Sequence, residues 1–180
     1  MKNYSLVGKK IMLVTINKDN NEQIEKILSF RNDPELGLYI GRNFPLTKEK
    51  VLEDIFAKDK VFLGITQKDS DELIGFITLR RINMINGTGK LTVFIGSEGN
   101  LSKGIGSEAL SLILDYAFKT LNLRKVNADI FSFNERSIKC FKKLGFKEQG
   151  ILKNEYFING EYHDDVLLYI FRNEWLNIKN

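Results

Sequence analysis

One stretch, residues 90–121, constrains the possible folds more than any other. It joins a strand, closely spaced glycines and a long helix. Residues 90–95 are rich in β-branched and aromatic side chains, which predicts a strand. Beyond Gly104 and Gly106, apolar residues recur at Leu110, Ile113, Leu114, Ala117 and Leu121. This spacing of three and four residues predicts a helix with one apolar face.

The glycines indicate an anion-binding loop at the start of that helix. The first N–H groups of a helix have no partner within the helix, and the helix dipole adds positive charge there. Glycines without side chains let a phosphate approach this backbone. We therefore expect residues 102–107 to bind phosphate, although glycines that only turn the chain would look the same.

Three kinds of phosphate loop must be distinguished. A Walker A loop is excluded, because Ile105 stands at the position where that motif requires a lysine. A dinucleotide fingerprint is satisfied by Gly104, Gly106 and Ala109, with Asp129 as the ribose ligand. That motif begins directly at a strand end, however, and here a polar segment intervenes. The third kind is the pyrophosphate loop of acetyl-coenzyme A enzymes, and the chain resembles this pattern best.

The order of predicted elements supports the third kind of loop. Strands are expected at 10–16, 61–67, 73–80, 90–95, 125–131, 150–158 and 161–171, and helices at 21–30, 47–56, 105–121 and 134–144. Residues 36–45 are expected to be irregular. The middle strands form an antiparallel meander, the glycine loop lies in a parallel crossover, and Asn159-Gly160 predicts a hairpin. The fold class is α/β with a mixed, mostly antiparallel sheet, which argues against a doubly wound dinucleotide fold.

Composition indicates an ordinary globular chain. Its 180 residues suit a single domain, 1–180, and 43% are hydrophobic. Lys and Arg number 27 and Asp and Glu 23, so the net charge of +4 gives only weak support to nucleic-acid binding. A single cysteine, Cys140, and the lack of a long apolar run favour a cytoplasmic protein without membrane contact. A homodimer is possible.

Two motifs then identify a family resemblance. They are Lys-Gly-Ile-Gly-Ser-Glu-Ala-Leu at 103–110 and Asn-Glu-Arg-Ser-Ile-Lys-Cys-Phe-Lys-Lys-Leu-Gly-Phe at 134–146. With both in this order, the chain resembles GCN5-related N-acetyltransferases (GNAT) over nearly its whole length. Segments 31–35 and 156–164 are similar to the branch containing Rim-type ribosomal-protein and diamine acetyltransferases.

The resemblance implies the GNAT fold and acetyl transfer from acetyl-CoA to a primary amine, by direct attack in a ternary complex. The acceptor would be a small amine, such as a polyamine or amino sugar, or a protein N-terminus. The implied contacts of acetyl-CoA are Phe94, Ile95 and Gly96 with the pantetheine arm, Ser102, Lys103, Gly104, Ile105, Gly106 and Ser107 with the pyrophosphate, and Asn134, Ser137, Phe141 and Lys143.

Two residues depart from the family pattern. Leu101 stands where members often have Gln or Arg, and Phe141 stands where many have the Tyr that protonates the leaving thiolate. The catalytic acid is therefore unassigned. A non-catalytic acetyl-CoA-binding or ribosome-associated member is the alternative function, and a nucleic-acid module ranks third.

Candidates for proton transfer and acceptor binding follow from the chemistry, because an ammonium acceptor must lose a proton before it attacks. The catalytic candidates are Glu98, Ser137, Glu155 and Tyr156, and the substrate-binding candidates are Arg31, Tyr39, Tyr156 and His163. Glu155 and Tyr156 are neighbours on a strand, so only one of them faces the site. Asp33, Glu35, Asp164 and Asp165 are acids that would attract a cationic amine. Without a Cys/His cluster, no metal site is expected.

Overall fold

The computed structural model describes residues 5–40, 44–96, 99 and 103–179. Its contacts divide the chain into two compact units. The N-terminal unit comprises the described residues of Met1–Thr78 and Val93–Leu112, and the C-terminal unit comprises Leu79–Thr92 and those of Ile113–Asn180. The single-domain organisation expected from length remains a prediction.

Eight strands form one mixed sheet. They are β1 (Ser5–Val7), β2 (Ile11–Thr15), β3 (Val61–Gln67), β4 (Leu73–Asn83), β5 (Thr88–Ile95), β6 (Lys125–Phe131), β7 (Lys147–Ile158) and β8 (Glu161–Phe171). Their order is β1-β2-β3-β4-β5-β6-β8-β7. The pairs β1/β2, β2/β3, β6/β8 and β7/β8 are antiparallel, whereas β5 and β6 are parallel. The expected mixed sheet with one parallel crossover is therefore confirmed.

Five α-helices accompany these strands in the described ranges. They are α1 (Asn21–Asn32), α2 (Lys48–Ile55), α3 (Ile105–Asp115), α4 (Glu135–Lys143) and α5 (Arg172–Lys179). A π-helical turn, Tyr116–Thr120, continues α3, and a 3-10 helix covers Leu36–Ile40. The side chains of Asn20, Thr47 and Asn134 cap α1, α2 and α4 by accepting a backbone N–H.

Most predicted elements are confirmed, and the differences have physical reasons. Sequence patterns missed β1 and α5, which have only three and eight residues. The segment expected to be irregular from residue 36 contains the 3-10 helix, whose start is capped by Asp33. The expected single helix to Leu121 changes to π geometry after Asp115, a local widening that periodicity cannot reveal.

The N-terminal unit is built on an aromatic and aliphatic core. Phe94 of β5 stacks on Phe76 of β4 with ring centroids 5.0 Å apart and lies 5.8 Å from Phe30 of α1. Ile24, Ile27, Val51 and Ile55 bring the apolar faces of α1 and α2 onto the same cluster. This burial supplies most of the driving force for the unit.

The C-terminal unit buries alternate residues of β6. Val126, Ala128 and Ile130 are all at most 6% exposed, as the period-two pattern predicts. Trp175 of α5 is 1% exposed, and its indole Nε1–H donates to Asp115 Oδ1 over 2.8 Å. The last helix is thus fixed to the end of α3 by one buried aromatic side chain and its hydrogen bond.

Within the described part of the chain, no helix is both long enough and apolar enough to cross a lipid bilayer.

Replacing Trp175 by Ala should lower the free energy of unfolding by about 3–5 kcal/mol, because a large buried ring and its hydrogen bond are removed. Urea denaturation followed by circular dichroism measures this loss. Asn177→Ala, at an exposed position of the same helix, is the matched control and should change stability little. An equal effect of the two substitutions would show that α5 does not depend on Trp175.

Candidate functional site

The glycine loop of the N-terminal unit ends at the first turn of α3. Gly104 has φ +81°, a conformation that side chains rarely adopt, and its carbonyl accepts the N–H of Glu108 over 3.0 Å. A Cβ built at Gly104 would meet no atom of the described residues within 4 Å. Backbone conformation, and not crowding by these residues, therefore requires this glycine. The position of a side chain at residue 104 is thus open with respect to the described part of the chain.

The end of β5 presents its backbone in a defined direction. The N–H of Gly96 donates to the Ile74 carbonyl over 2.8 Å. A Cβ at Gly75 would lie 2.2 Å from the Phe94 carbonyl, so that group also points toward β4. Backbone groups alternate in direction along a strand. Of the three residues expected to pair with a pantetheine arm, Ile95 therefore turns its N–H and C=O to the opposite side of β5.

Two predicted site residues, Glu98 and Ser102, lie outside the described residues, as does Leu101. Lys103 is exposed, whereas Ile105 is buried at the start of α3. Gly106 and Ser107 belong to the first turn of that helix. The described part of the predicted pyrophosphate segment therefore lies at a helix N-terminus.

The second motif forms α4 of the C-terminal unit. Asn134 is the N-cap, and its Oδ1 accepts the backbone N–H of Ser137 over 3.1 Å. Phe141 is 2% exposed and contacts Phe146 edge to face at 4.9 Å. Lys143 is exposed in the last turn. Asn134 thus has a capping role whatever else it binds, and Ser137 is its partner.

A bulge in β7 determines where Glu155 and Tyr156 lie. The register with β8 shifts between Leu152 and Tyr156, and Asn154 within this segment has φ +51°. The Asp164 carboxylate holds the bulge by accepting the Asn154 N–H over 2.9 Å and the Lys153 ammonium over 2.8 Å. Lys153 and this N–H also lower the pKa of Asp164. Asp164 therefore has a structural role.

Tyr156 and His163 are brought together by the hairpin register and belong to an aromatic cluster. Tyr156 meets Phe131 edge to face at 4.8 Å, Phe131 stacks on Phe133 at 5.3 Å, and His163 contacts Phe133 at 4.9 Å. Tyr156 remains 37% exposed. Part of the Tyr156 side chain is thus accessible to a ligand.

Burial, together with the charges of Asp165 and Glu155, raises the pKa of Tyr156. Both effects disfavour the phenolate, so Tyr156 carries its proton at neutral pH and can donate it. Asp165, which is 2% exposed, has its pKa raised chiefly by burial, and the positive charge of Lys90 opposes that rise. A carboxyl group shifted in this way is better matched to accepting a proton near neutral pH.

Sequence reasoning missed a charged cluster on β4, β5, β6 and β8. Lys90 forms an ion pair with Asp129, and the Asp165 charge also acts on Lys90. Burial, with Arg80 and Arg81 nearby, lowers the pKa of Lys90 to about 8. The only hint in the sequence was an acidic residue within an apolar strand at 129, because buried acids require a partner. Asp129, the possible ribose ligand of a dinucleotide, is instead engaged by Lys90.

Two predicted substrate-binding residues belong to the N-terminal unit. Arg31 is 4% exposed, its Nη2 pairs with Asp54 over 2.6 Å, and its guanidinium lies over the rings of Phe62 and Phe76. This placement gives Arg31 a structural role and does not favour the predicted substrate contact. Tyr39, at the end of the 3-10 helix, is 45% exposed.

No group of three or more His, Cys, Asp or Glu side chains suited to holding a metal ion occurs in the part of the chain that the structure describes.

The lowered pKa of Lys90 predicts a pH dependence of stability. Between about pH 8 and 10.5 an unfolded lysine still binds a proton that folded Lys90 has released, so folding becomes more favourable as pH rises. Between pH 8 and 10, the free energy of unfolding of the wild-type protein should rise by about 1–2 kcal/mol more than that of Lys90→Met. Urea denaturation across this range measures the difference. Lys58→Met, at an exposed position, should follow the wild type, and a parallel curve for Lys90→Met would refute the assignment.

Comparison with known proteins places this geometry in a family. The sequence model of the acetyltransferase (GNAT) domain matches residues 13–167. Spermidine N(1)-acetyltransferase of Escherichia coli K12 is 34% identical over 105 residues, which cover 58% of this chain and only 56% of that enzyme. The uncharacterized N-acetyltransferase p20 of Bacillus licheniformis is 26% identical over 170 residues, covering 90% of this chain and 94% of p20.

A solved structure shows the same fold. Spermidine N-acetyltransferase from Vibrio cholerae, crystallised with CoA and spermine, matches with a TM-score of 0.85 over 94% of this chain and all of that one, at 24% identity. The family match runs from β2 to β8 and includes both the glycine loop and α4. The resemblance read from the two motifs is thereby confirmed, and the chain belongs to the GNAT acetyltransferase family.

Proposed function

We propose that this protein transfers the acetyl group of acetyl-CoA to a primary amine carried by a small molecule. The observation that carries the proposal is the family match over residues 13–167, which contains both the glycine loop and the α4 motif. Small amines are preferred over protein N-termini because spermidine N(1)-acetyltransferases of Escherichia coli and Vibrio cholerae are 34% and 32% identical to this chain, whereas a putative ribosomal N-acetyltransferase of Bacillus subtilis is 30% identical. The chain aligns with little more than half of such a relative, so activity and substrate are proposals here.

The described residues fit acetyl-CoA at two backbone positions. Gly104 leaves open space before the first turn of α3, which suits the pyrophosphate. Ile95 turns its N–H and C=O away from β4, which suits an amide-containing arm that pairs like an added strand. The contacts of Asn134, Ser137, Phe141 and Lys143 with acetyl-CoA, which the family resemblance implies, remain predictions. Acetyl-CoA supplies an acyl carbon that is activated by a thiol leaving group.

Proton transfer is proposed to use β7 and β8. The attacking amine loses a proton as the N–C bond forms, and the departing sulfur gains one as the C–S bond breaks. Phe141 has no proton to give, whereas Tyr156 is protonated and accessible. We assign Tyr156 as the acid, and Glu155 or Asp165 as the carboxylate that receives the amine proton. Glu155 lies in the bulge of β7, which interrupts the alternation of side chains expected along a strand, and its charge raises the pKa of both Tyr156 and Asp165. Both observations support this grouping.

The acids expected to attract a cationic acceptor divide into two groups. Asp33 accepts the N–H groups of Glu35 and Leu36 over 2.9 and 2.8 Å, and Asp164 holds the β7 bulge. These two are occupied by the fold. The exposed Glu35 is the better candidate for recognising an ammonium group, because Asp165 is 2% exposed and bonded to the backbone of Ile130.

The proposed function is tested by release of free thiol from acetyl-CoA with a panel of acceptors. Spermidine, an amino sugar and a short peptide with a free N-terminus represent the three acceptor classes. We expect turnover with at least one small amine and little with the peptide. Turnover with the peptide alone would overturn the choice of acceptor. Binding of acetyl-CoA without turnover of any acceptor would favour the non-catalytic alternative.

Tyr156→Phe removes the proposed acid while keeping the ring against Phe131. The turnover number with the best acceptor should fall about a hundredfold, the usual size of a general-acid contribution. Tyr162→Phe is the matched control, because Tyr162 is on the same hairpin and is 65% exposed. Steady-state kinetics at pH 7–9 measure both variants. Equal turnover by Tyr156→Phe and wild type would remove Tyr156 from the mechanism.

A further inference from the structure

The turn between β1 and β2 is bonded to the start of α3, almost 100 residues further along the chain. The backbone N–H of Lys10 donates to Glu108 Oε1 over 2.9 Å. The Lys10 ammonium donates to the Lys103 carbonyl oxygen over 3.1 Å. All three residues belong to the N-terminal unit. Lys10 is thus bonded to one residue before Gly104 and to one residue after it.

Other contacts hold this turn in place. The Lys68 N–H donates to the Lys10 carbonyl over 3.0 Å, and the Lys68 ammonium donates to the Gly8 carbonyl over 3.4 Å. A Cβ at Gly8 would lie 2.2 Å from Glu108 Oε1, so only glycine lets that carboxylate approach the turn. Lys10 therefore extends from a backbone anchored on both sides, which reduces the entropy lost when its ammonium is held.

The bond from Lys10 orients a peptide group of the glycine loop. In a trans peptide the C=O and the following N–H point in opposite directions, and the described chain contains no cis peptide. When Lys10 holds the Lys103 carbonyl, the N–H of Gly104 is directed to the other side. The Gly104 carbonyl is meanwhile held by the Glu108 N–H. The peptide groups on both sides of Gly104 therefore have fixed orientations in the absence of a ligand.

We propose that Lys10 is a positioning residue for cofactor binding: its ammonium holds the Lys103 carbonyl so that the N–H of Gly104 faces the pyrophosphate. This inference rests on the proposed function, because it takes acetyl-CoA as the ligand of the loop. Because the Gly104 N–H is already oriented, binding does not cost the free energy that would be needed to order it. The positive charge of Lys10 near a polyanionic ligand acts in the same direction.

Three variants distinguish an effect of the Lys10–Lys103 hydrogen bond from a general effect of positive charge. Lys10→Met removes the ammonium and keeps the length of the side chain, Lys10→Arg keeps a cationic donor, and Lys9→Met removes the exposed neighbouring charge. Calorimetric titration with CoA and with 3′-dephospho-CoA gives their dissociation constants. We expect Lys10→Met to weaken both ligands roughly tenfold. Lys10→Arg should restore binding to within about threefold of wild type, and Lys9→Met should match wild type.

A second measurement separates positioning from folding. The melting temperature of Lys10→Met should stay close to that of wild type, because an exposed side chain contributes little to stability. Unchanged CoA affinity in Lys10→Met, failure of Lys10→Arg to restore binding, or equal weakening by Lys9→Met would each overturn the role of Lys10. Wild-type protein that binds no CoA would overturn the proposed function, and the role of Lys10 with it.

Discussion

The hydrogen bond from the Gly96 N–H to the Ile74 carbonyl sets the direction of every backbone group at the end of β5. Two glycines make it possible. A Cβ at Gly75 would strike the Phe94 carbonyl at 2.2 Å, and one at Gly96 would meet the ring of Phe30 at 2.4 Å. The strand end is therefore packed closely against β4 and Phe30, and alternation along the strand turns the backbone of Ile95 away from β4.

The same dependence on backbone explains how the chain tolerates its departures from the family pattern. The proposed contacts with acetyl-CoA are made largely by N–H and C=O groups at Ile95 and around Gly104, which do not change with side-chain identity. Leu101 in place of Gln or Arg removes a side chain but no backbone donor. Phe141 removes a proton donor, and Tyr156, whose pKa is raised, is the residue proposed to supply one from another element. Binding and proton transfer thus rely on different parts of the fold.

Much of the fold follows from local pattern. The strands Val61–Gln67, Lys125–Phe131 and Glu161–Phe171 begin and end where their composition predicts. Asn134 and Gly145 limit α4 as capping rules require, the latter with φ +92°. Of the two elements missed by pattern, α5 depends on a distant partner. The short helix α5 is stabilised by Trp175 against Asp115, a pair sixty residues apart that no window of sequence can display.

The residues of the candidate site also differ in whether the local sequence predicts them. The glycine loop and the α4 motif are visible in the sequence because their function depends on consecutive residues. The pairing of Lys90 with Asp129 and the contact of Lys10 with Lys103 join residues from separate strands and loops, so their spacing carries no signal. Arg31 depends on tertiary packing in another way. It is a predicted substrate-binding residue, and packing buries it beside Asp54, which the local sequence does not display.

The central claim is that acetyl-CoA binds along the backbone of β5 that is turned away from β4, and at the start of α3. Amide hydrogen exchange followed by NMR, with and without acetyl-CoA, tests it most directly. The claim predicts new protection at Ile95 and Gly104 and no change at Gly96, whose N–H is already bonded to Ile74. Unchanged exchange at Ile95 and Gly104 in the presence of saturating acetyl-CoA would contradict it.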